Sequence, residues 1–325
     1  MCRARKGRAV SGGQRRLAAI DIGTVTTRLL IADVTSTIVT EVERSCDITH
    51  LGRGLTTSGR LSGEAMRDVA AVIGRYAAII ADAGATGVVA IATSASRDAR
   101  NAGEFLAMLE RTGIRPEVIE GSREALLSFT GATFGLEAVR VLVDDIGGGS
   151  TELVRGRISE ETGERVVELA RSIDVGSRRL TEMFLHSDPP AAVETQAARE
   201  YARDMLRPYF DTPSERPELL VSVAGTATSL AAIRMEMAVY DPAMVHGYVL
   251  SGHDVAGMTE RLAAMPLAQR REMIGLHPGR ASVIVAGAMI LEAIMELSGA
   301  DSTMVSERDI LYGILLDAYE SGAGA

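Results

Sequence analysis

One phrase occurs twice in the sequence, and this repeat limits the folds that the chain can adopt. Apolar residues of strand character lead into Asp-Ile-Gly at Asp21 and again at Asp145, 124 residues later. Each time, hydroxyl residues and a second apolar run follow. The pattern predicts a strand, a tight glycine turn and another strand. Two copies at the spacing of a domain indicate two related units rather than unrelated turns.

The second copy, VLVDDIGGGSTELV, carries the residue types of a phosphate site. Glycines let backbone N–H groups approach a ligand closely, and a serine adds a hydroxyl donor. Two carboxylates bracket the turn, and Mg²⁺ bound by them would offset the charge of a phosphate. Taken alone, this stretch fits an ordinary glycine-rich turn equally well. The residues concerned are Asp145, Gly147, Gly148, Gly149, Ser150 and Glu152.

A third glycine turn follows a third apolar run, in the stretch LLVSVAGTATSLAAI. Here a predicted strand leads through Gly225 and Thr226 into a predicted helix. The N–H groups at the start of a helix favour an anion. We therefore expect this turn to join the other two at a common phosphate site.

Between the glycine turns, predicted strands alternate with predicted helices, which favours a mixed α/β sheet. At 325 residues, two domains are expected. Ser122 is predicted to cap a helix over 123–134, which places Glu124 in its first turn. An acidic residue there is more often a partner of the helix dipole than a catalytic group.

The charge distribution argues against broad nucleic-acid binding. The net charge is −9, although residues 1–16 include six basic side chains and are predicted to form a disordered basic tail. Cys2 and Cys46 form no disulfide framework, which fits a reducing compartment. No signal peptide follows the arginines, and the longest apolar helix, over 281–297, is too short to span a membrane. We expect a cytoplasmic protein.

Ten stretches together resemble the exopolyphosphatase / guanosine pentaphosphate phosphohydrolase family, over most of the chain from Leu17 to Ile314. They are DIGTVTTRLL, THLGRGL, ATSASRDARN, EGSREALLSFTGA, DDIGGGSTELV, RLTEMFLHSDPP, AGTATSLAAI, HGYVLSG, RASVIVAGAMIL and SERDILYGIL. The resemblance implies two ribonuclease H-like domains of the actin, sugar kinase and Hsp70 ATPase superfamily, with a cleft between them. The implied N-terminal domain covers 17–123 and 308–325, and the C-terminal domain covers 124–307.

The resemblance also implies a role for individual residues. Glu124 matches the catalytic glutamate of the family, which would take a proton from the attacking water. Asp145 and Glu152 match the magnesium-linked carboxylates, and the glycine turn between them would hold terminal phosphates. The remaining matches are phosphate contacts: Asp21, Gly23, Thr24 and Arg97.

Three departures from the family pattern stand out. Val25 replaces the usual asparagine of the first loop, so one polar phosphate contact is expected to be missing. Arg123 stands directly before Glu124, at a position where the family commonly has another glutamate. Its side chain either helps to bind a polyanion or faces solvent. The stretches that resemble the family predict the short form, without the helical C-terminal domain of longer members, so weaker binding of very long chains is expected.

The resemblance implies a Mg²⁺-dependent phosphoanhydride hydrolase, and two substrates remain open. Inorganic polyphosphate is the first, and the low aromatic content favours it slightly because no base-stacking platform is evident. Guanosine pentaphosphate is the second. A kinase of the superfamily and a low-turnover phosphate-sensing module are weaker alternatives. A homodimer is a further expectation, as are domains that close around the substrate.

Overall fold

A computed structural model describes residues 13–213 and 215–322. Strands and helices alternate along the chain as the sequence predicts. The first part comprises β1 (Arg15–Ile22), β2 (Thr26–Val34), β3 (Val39–Ile48), α1 (Leu55–Ser58), α2 (Gly63–Ala83), β4 (Gly87–Ala92), α3 (Ser94–Asp98), α4 (Ala102–Glu110), β5 (Glu117–Val118) and α5 (Gly121–Ala132).

The second part begins with another antiparallel run of three strands. It comprises β6 (Arg140–Ile146), β7 (Thr151–Ile158), β8 (Arg165–Ile173), α6 (Ser177–Phe184), α7 (Ala192–Phe210), β9 (Leu219–Val223), α8 (Ala224–Arg234), α9 (Pro242–Val245), β10 (Val249–Ser251), α10 (Gly252–Ala264), α11 (Leu267–Arg271), α12 (Ile284–Ser298), β11 (Ser302–Val305) and α13 (Ile310–Ser321).

The two parts form two sheets with the same topology, which confirms the prediction of two ribonuclease H-like units. The first sheet has the order β3-β2-β1-β4-β5, and the second has β10-β11-β9-β6-β7-β8. In each sheet the first three strands are antiparallel, and later strands add in parallel beside the first of them. The second sheet gains one antiparallel edge strand, β10.

Helices α5 and α13 pack against each other between the two sheets. Side chains of α13 cover one face of the first sheet, and those of α5 cover one face of the second. The two helices approach closely at Gly131 and Gly313, where a Cβ atom would overlap the backbone of the other helix. Glycine is therefore required at both crossing points.

Strand alternation places the two repeated aspartates on the inner faces of the sheets. In β1, Leu17 and Ala19 pack against α13, so Asp21 points to the same side. In β6, Val141 and Val143 pack against α5, so Asp145 points to that side. The repeat in the sequence thus brings two carboxylates to the space between the sheets.

Two boundaries differ from the predictions. Strand β1 begins at Arg15, and Arg16 donates to Asp33 at 2.8 Å, so the end of the predicted basic tail is strand. Residues 1–12 of that tail lie outside the described residues. Helix α5 begins at Gly121 with Glu120 at its N-cap, so Ser122 is not the cap. Across 13–213 and 215–322, no helix is both long and apolar enough to cross a membrane.

Candidate active site

The three glycine turns meet at one small cavity between the two sheets, as the sequence predicts. Its volume is about 80 Å³. Eleven of the thirteen predicted site residues line it: Asp21, Gly23, Thr24, Glu124, Asp145, Gly147, Gly148, Gly149, Ser150, Gly225 and Thr226. The other two, Arg97 and Glu152, do not line the cavity but contact or neighbour residues that do.

The first and second turns pack directly against each other. A Cβ atom on Gly148 would lie 2.6 Å from Cγ2 of Val25 and 2.8 Å from Cβ of Thr24. Only glycine permits this approach. Within the described residues, the N–H groups of Gly148 and Gly149 have no hydrogen-bond acceptor, although most backbone N–H groups in proteins have one. These two groups are therefore available to a phosphate.

Glu124 lies in the first turn of α5, buried beside the cavity. Its Oε2 accepts a hydrogen bond of 2.6 Å from Nη1 of Arg97, which also donates to the carbonyl of Ile119 at 3.0 Å. Burial raises the pKa of Glu124 to about 7, although the positive charge of Arg97 opposes this. A carboxylate with a pKa near neutrality is suited to accept a proton and release it again.

Asp145 and Glu152 lie opposite each other on β6 and β7. Their oxygens accept hydrogen bonds from serines: Ser128 to Asp145 at 2.6 Å, and Ser150 and Ser172 to Glu152 at 2.8 and 2.6 Å. Burial raises the pKa of Asp145 to about 6 and that of Glu152 well above its usual value. Neither forms an ion pair with any residue in the described ranges.

This arrangement fits a divalent cation that substrate oxygens help to bind. Two adjacent buried carboxylates without an ion-pair partner are costly unless a cation compensates them. Among the residues that the structure describes, no three acidic, histidine or cysteine side chains converge as a complete metal site. Mg²⁺ characteristically uses one or two carboxylates together with water and phosphate oxygens. Asp145 is the better placed of the two, since Glu152 does not line the cavity.

Arg28 is a site residue that the sequence analysis missed. It lies opposite Asp21 on β2, seven residues later, just as Glu152 lies opposite Asp145 seven residues later. Its guanidinium donates to Asp21 at 2.6 Å and also to Asp309. Burial raises the pKa of Asp21, and Arg28 opposes that shift. The seven-residue spacing from Asp145 to Glu152, which recurs from Asp21 to Arg28, is the sequence signal that could have identified Arg28.

Arg280 is a second missed residue, at the third turn. The turn enters α8 through Ala224, whose φ of 63° is left-handed. Arg280, from the 3₁₀ turn Pro278–Arg280, donates to the carbonyl of Gly225 at 2.6 Å and to Ser229 at 3.2 Å. It lines the cavity as well. Nothing in the local sequence links Arg280 to a turn 55 residues earlier.

The profile of one protein family matches most of the chain. It is described as the Ppx/GppA phosphatase family, and it matches residues 30–321. The chain belongs to the Ppx/GppA phosphatase family. Exopolyphosphatase 2 of Mycobacterium tuberculosis is 40% identical over 318 residues, which are 93% of this chain and 98% of that protein.

Solved structures of Ppx/GppA proteins have the same fold. An Aquifex aeolicus family member has a TM-score of 0.79 at 30% identity, covering 96% of this chain and 100% of the other. An exopolyphosphatase from Cytophaga hutchinsonii has a TM-score of 0.85 at 26% identity, covering 95% and 99%. These relatives confirm the family and its phosphatase class.

Two of the departures from the Ppx/GppA pattern have a structural explanation. Val25 is buried against Gly148, so an apolar side chain here helps the first two turns to pack together. Arg123 forms an ion pair of 2.5 Å with Asp317, and its side chain is 46% exposed. Of the two roles considered for Arg123, the structure supports a solvent-facing one.

Proposed function

We propose that this chain is an exopolyphosphatase, which hydrolyses the terminal phosphoanhydride bond of inorganic polyphosphate. The observation that carries the proposal is that Glu124 lines the same cavity as three glycine turns. The carboxylate proposed as general base therefore shares one cavity with free backbone N–H donors. The relatives named exopolyphosphatase support the same substrate.

Each part of the site has a distinct task in such a reaction. The free N–H groups of Gly148 and Gly149 would bind oxygens of the terminal phosphoryl group. Glu124 would accept a proton from the attacking water while the bond to the bridging oxygen breaks. The products are orthophosphate and a polyphosphate chain that is shorter by one phosphate. Arg97 would hold the carboxylate of Glu124 in position and keep it ionised.

Magnesium is proposed as the cofactor, with Asp145 as its direct protein ligand. Glu152 accepts hydrogen bonds from two serines and would add negative charge beside the ion without binding it directly. When bound, the ion would neutralise charge on the phosphate oxygens and so stabilise the departing group. A cation would also relieve the burial of two adjacent carboxylates.

Guanosine pentaphosphate is the second candidate substrate, and one observation favours it. A cavity of about 820 Å³ adjoins the small one and shares Arg28, Ala224, Gly225 and Arg280 with it. Its lining is mostly apolar and includes Met237, Tyr240, Met273, Ile274 and Leu276. Apolar walls suit the nucleoside of a nucleotide better than a bare polyanion.

Phosphate release, measured in parallel on both compounds, distinguishes the two candidate substrates. Polyphosphate of defined length and guanosine pentaphosphate are assayed with Mg²⁺ at equal molar concentrations of terminal phosphate groups. A larger kcat/KM for polyphosphate supports the proposal, and a larger value for guanosine pentaphosphate establishes the second candidate. Binding of either without release would identify a phosphate-sensing module instead.

We also propose a cytoplasmic location. The thiol of Cys46 is exposed and forms no disulfide within the described part of the chain, and an exposed free thiol persists best in a reducing compartment. Detection of the protein in the cytosolic fraction of its native cell would support this, and recovery from an extracytoplasmic fraction would contradict it.

A further inference from the structure

A third cavity, here called the rear cavity, adjoins the glycine turns and shares no lining residue with the large cavity. Its volume is about 210 Å³. Thr24, Ser94 and Gly149 line both this rear cavity and the small cavity that holds Glu124. These three residues therefore form a thin shared wall between the two spaces. The rear cavity also contains two consecutive arginines, Arg178 and Arg179.

Arg178 is the unusual feature of this rear cavity. It is only 7% exposed and forms no ion pair within the described residues, and its Nε has no hydrogen-bond partner there. Among the described residues, the one hydrogen bond of its guanidinium joins Nη2 to Nδ1 of His50 at 2.6 Å. Burial lowers the pKa of Arg178; Glu182 nearby opposes the shift and Arg53 adds to it. A buried guanidinium without a carboxylate in contact is suited to bind an anion, because an anion would compensate the buried charge.

The neighbouring charges leave the rear cavity positive. Arg179 donates to Asp98 at 2.5 Å and to the carbonyl of Gly149 at 2.7 Å, so its charge is matched by that carboxylate. Glu182 and Arg53 near Arg178 carry opposite charges, so Arg178 remains the arginine of the lining without a carboxylate in contact. The hydroxyls of Thr24, Thr56 and Ser94 supply further donors at the walls. Such a set suits a small tetrahedral anion.

We propose that the rear cavity binds orthophosphate, the product released in the glycine cradle. The inference rests on the proposed function, because that reaction generates orthophosphate at the shared wall. A remaining polyphosphate chain would extend from the small cavity toward the large one and block that route. The rear cavity receives the product on the other side of the wall. Side-chain rotation at Thr24 and Ser94 would open the passage.

The test measures binding of inorganic phosphate, not turnover. A non-hydrolysable methylene analogue of tripolyphosphate first saturates the cradle in the presence of Mg²⁺. Orthophosphate is then titrated by calorimetry. Thr56 is exposed on α1 and lines the rear cavity, so Thr56→Glu places a repelling charge in the lining without changing a buried side chain. Arg178→Gln removes the buried charge. Thr57→Glu is the matched control, exposed on the same helix but outside the cavity lining.

We expect one orthophosphate to bind the analogue-saturated wild type and the Thr57→Glu variant. Affinity should fall at least about tenfold in Thr56→Glu and Arg178→Gln. Absence of orthophosphate binding by the saturated wild type, or equal binding by all four proteins, would overturn the proposal. Polyphosphate hydrolysis is measured separately on the wild type. Failure there with orthophosphate still bound would count against the proposed function alone.

Discussion

Nη1 of Arg97 donates to Oε2 of Glu124 at 2.6 Å, so the candidate base is held by a cation from the other side of the cleft. Arg97 lies in the last turn of α3, beside the first sheet, whereas Glu124 lies in the first turn of α5, which covers the second. Burial would otherwise favour the protonated form of Glu124, and Arg97 opposes it. If Glu124 is the base, this ion pair would both orient it and set the pH range in which it is ionised.

We predict that Arg97→Met moves the acid limb of the pH–rate profile to higher pH. In the wild type, kcat/KM should rise through about pH 7, because Glu124 must lose its proton to act as a base. Loss of a cation at this distance raises the pKa of a carboxyl by about one to three units. A profile of kcat/KM against pH measures the shift. Arg123→Met, at an exposed ion pair outside the cleft, is the control and should leave the limb in place.

A second prediction concerns magnesium. Asp145→Asn removes the carboxylate charge but keeps the size of the side chain, so half-maximal activity should require a higher Mg²⁺ concentration. Asp317→Asn, at the exposed ion pair with Arg123, serves as the control. Activity is titrated with MgCl₂ for all three proteins. Superimposable titration curves for wild type and Asp145→Asn would remove Asp145 from the metal site.

Much of the site could be predicted because the repeated strand–turn–strand pattern indicates both the fold of the two units and the glycine turns that line the cavity. Asp21 and Asp145 could be paired from the sequence, and the sheets show why they face each other. Of the serines that donate to Glu152 and Asp145, Ser150 was among the predicted site residues, but Ser128 and Ser172 could not be predicted. Ser128 reaches Asp145 because α5 packs against the second sheet, and Ser172 reaches Glu152 because it lies directly opposite it where β8 pairs with β7.

The third prediction tests contact between the two glycine turns. Gly149→Ala adds a methyl group that overlaps Ser94 and lies 3.0 Å from Oγ1 of Thr24, so it should hold the turns apart. We expect kcat/KM to fall by at least about tenfold, as misplacement of reacting groups typically costs. Gly103→Ala is the control, because a Cβ there meets nothing within 4 Å.

Small-angle scattering, together with circular dichroism, distinguishes impaired domain closure in Gly149→Ala from general misfolding. If the domains close around the substrate, the wild type should become more compact with Mg²⁺ and a non-hydrolysable polyphosphate analogue. Gly149→Ala should change less, while its circular dichroism spectrum stays that of the wild type. An equal radius of gyration with and without ligand in the wild type would contradict closure.

The fourth prediction concerns stability rather than catalysis. Asp144 is fully buried beside Asp145 but on the other face of β6; Ser222 donates to its Oδ2, and its Oδ1 has no partner within the described residues. Burial raises the pKa of Asp144 to about 8, against about 3.9 when exposed. The folded chain therefore binds more protons between about pH 4 and 8, and the free energy of unfolding falls as the pH rises through this range.

Asp144→Asn should remove this contribution. Urea unfolding at about pH 5, 6.5 and 8 would show a smaller loss of stability with pH in the variant than in the wild type. Asp317→Asn, at the exposed ion pair with Arg123, is the matched control and should keep the wild-type dependence of unfolding free energy on pH. The same slope in all three proteins would show that Asp144 is ionised in the folded chain.

The most direct test of the account is the rate of phosphate release by Glu124→Gln on polyphosphate of defined length, with binding measured in parallel. We predict a loss of about 10²- to 10⁴-fold in kcat, as expected for a general base, with polyphosphate still bound. Glu120→Gln, exposed at the N-cap of the same helix, should retain wild-type turnover. Wild-type turnover by Glu124→Gln would contradict the assignment of Glu124 as the base.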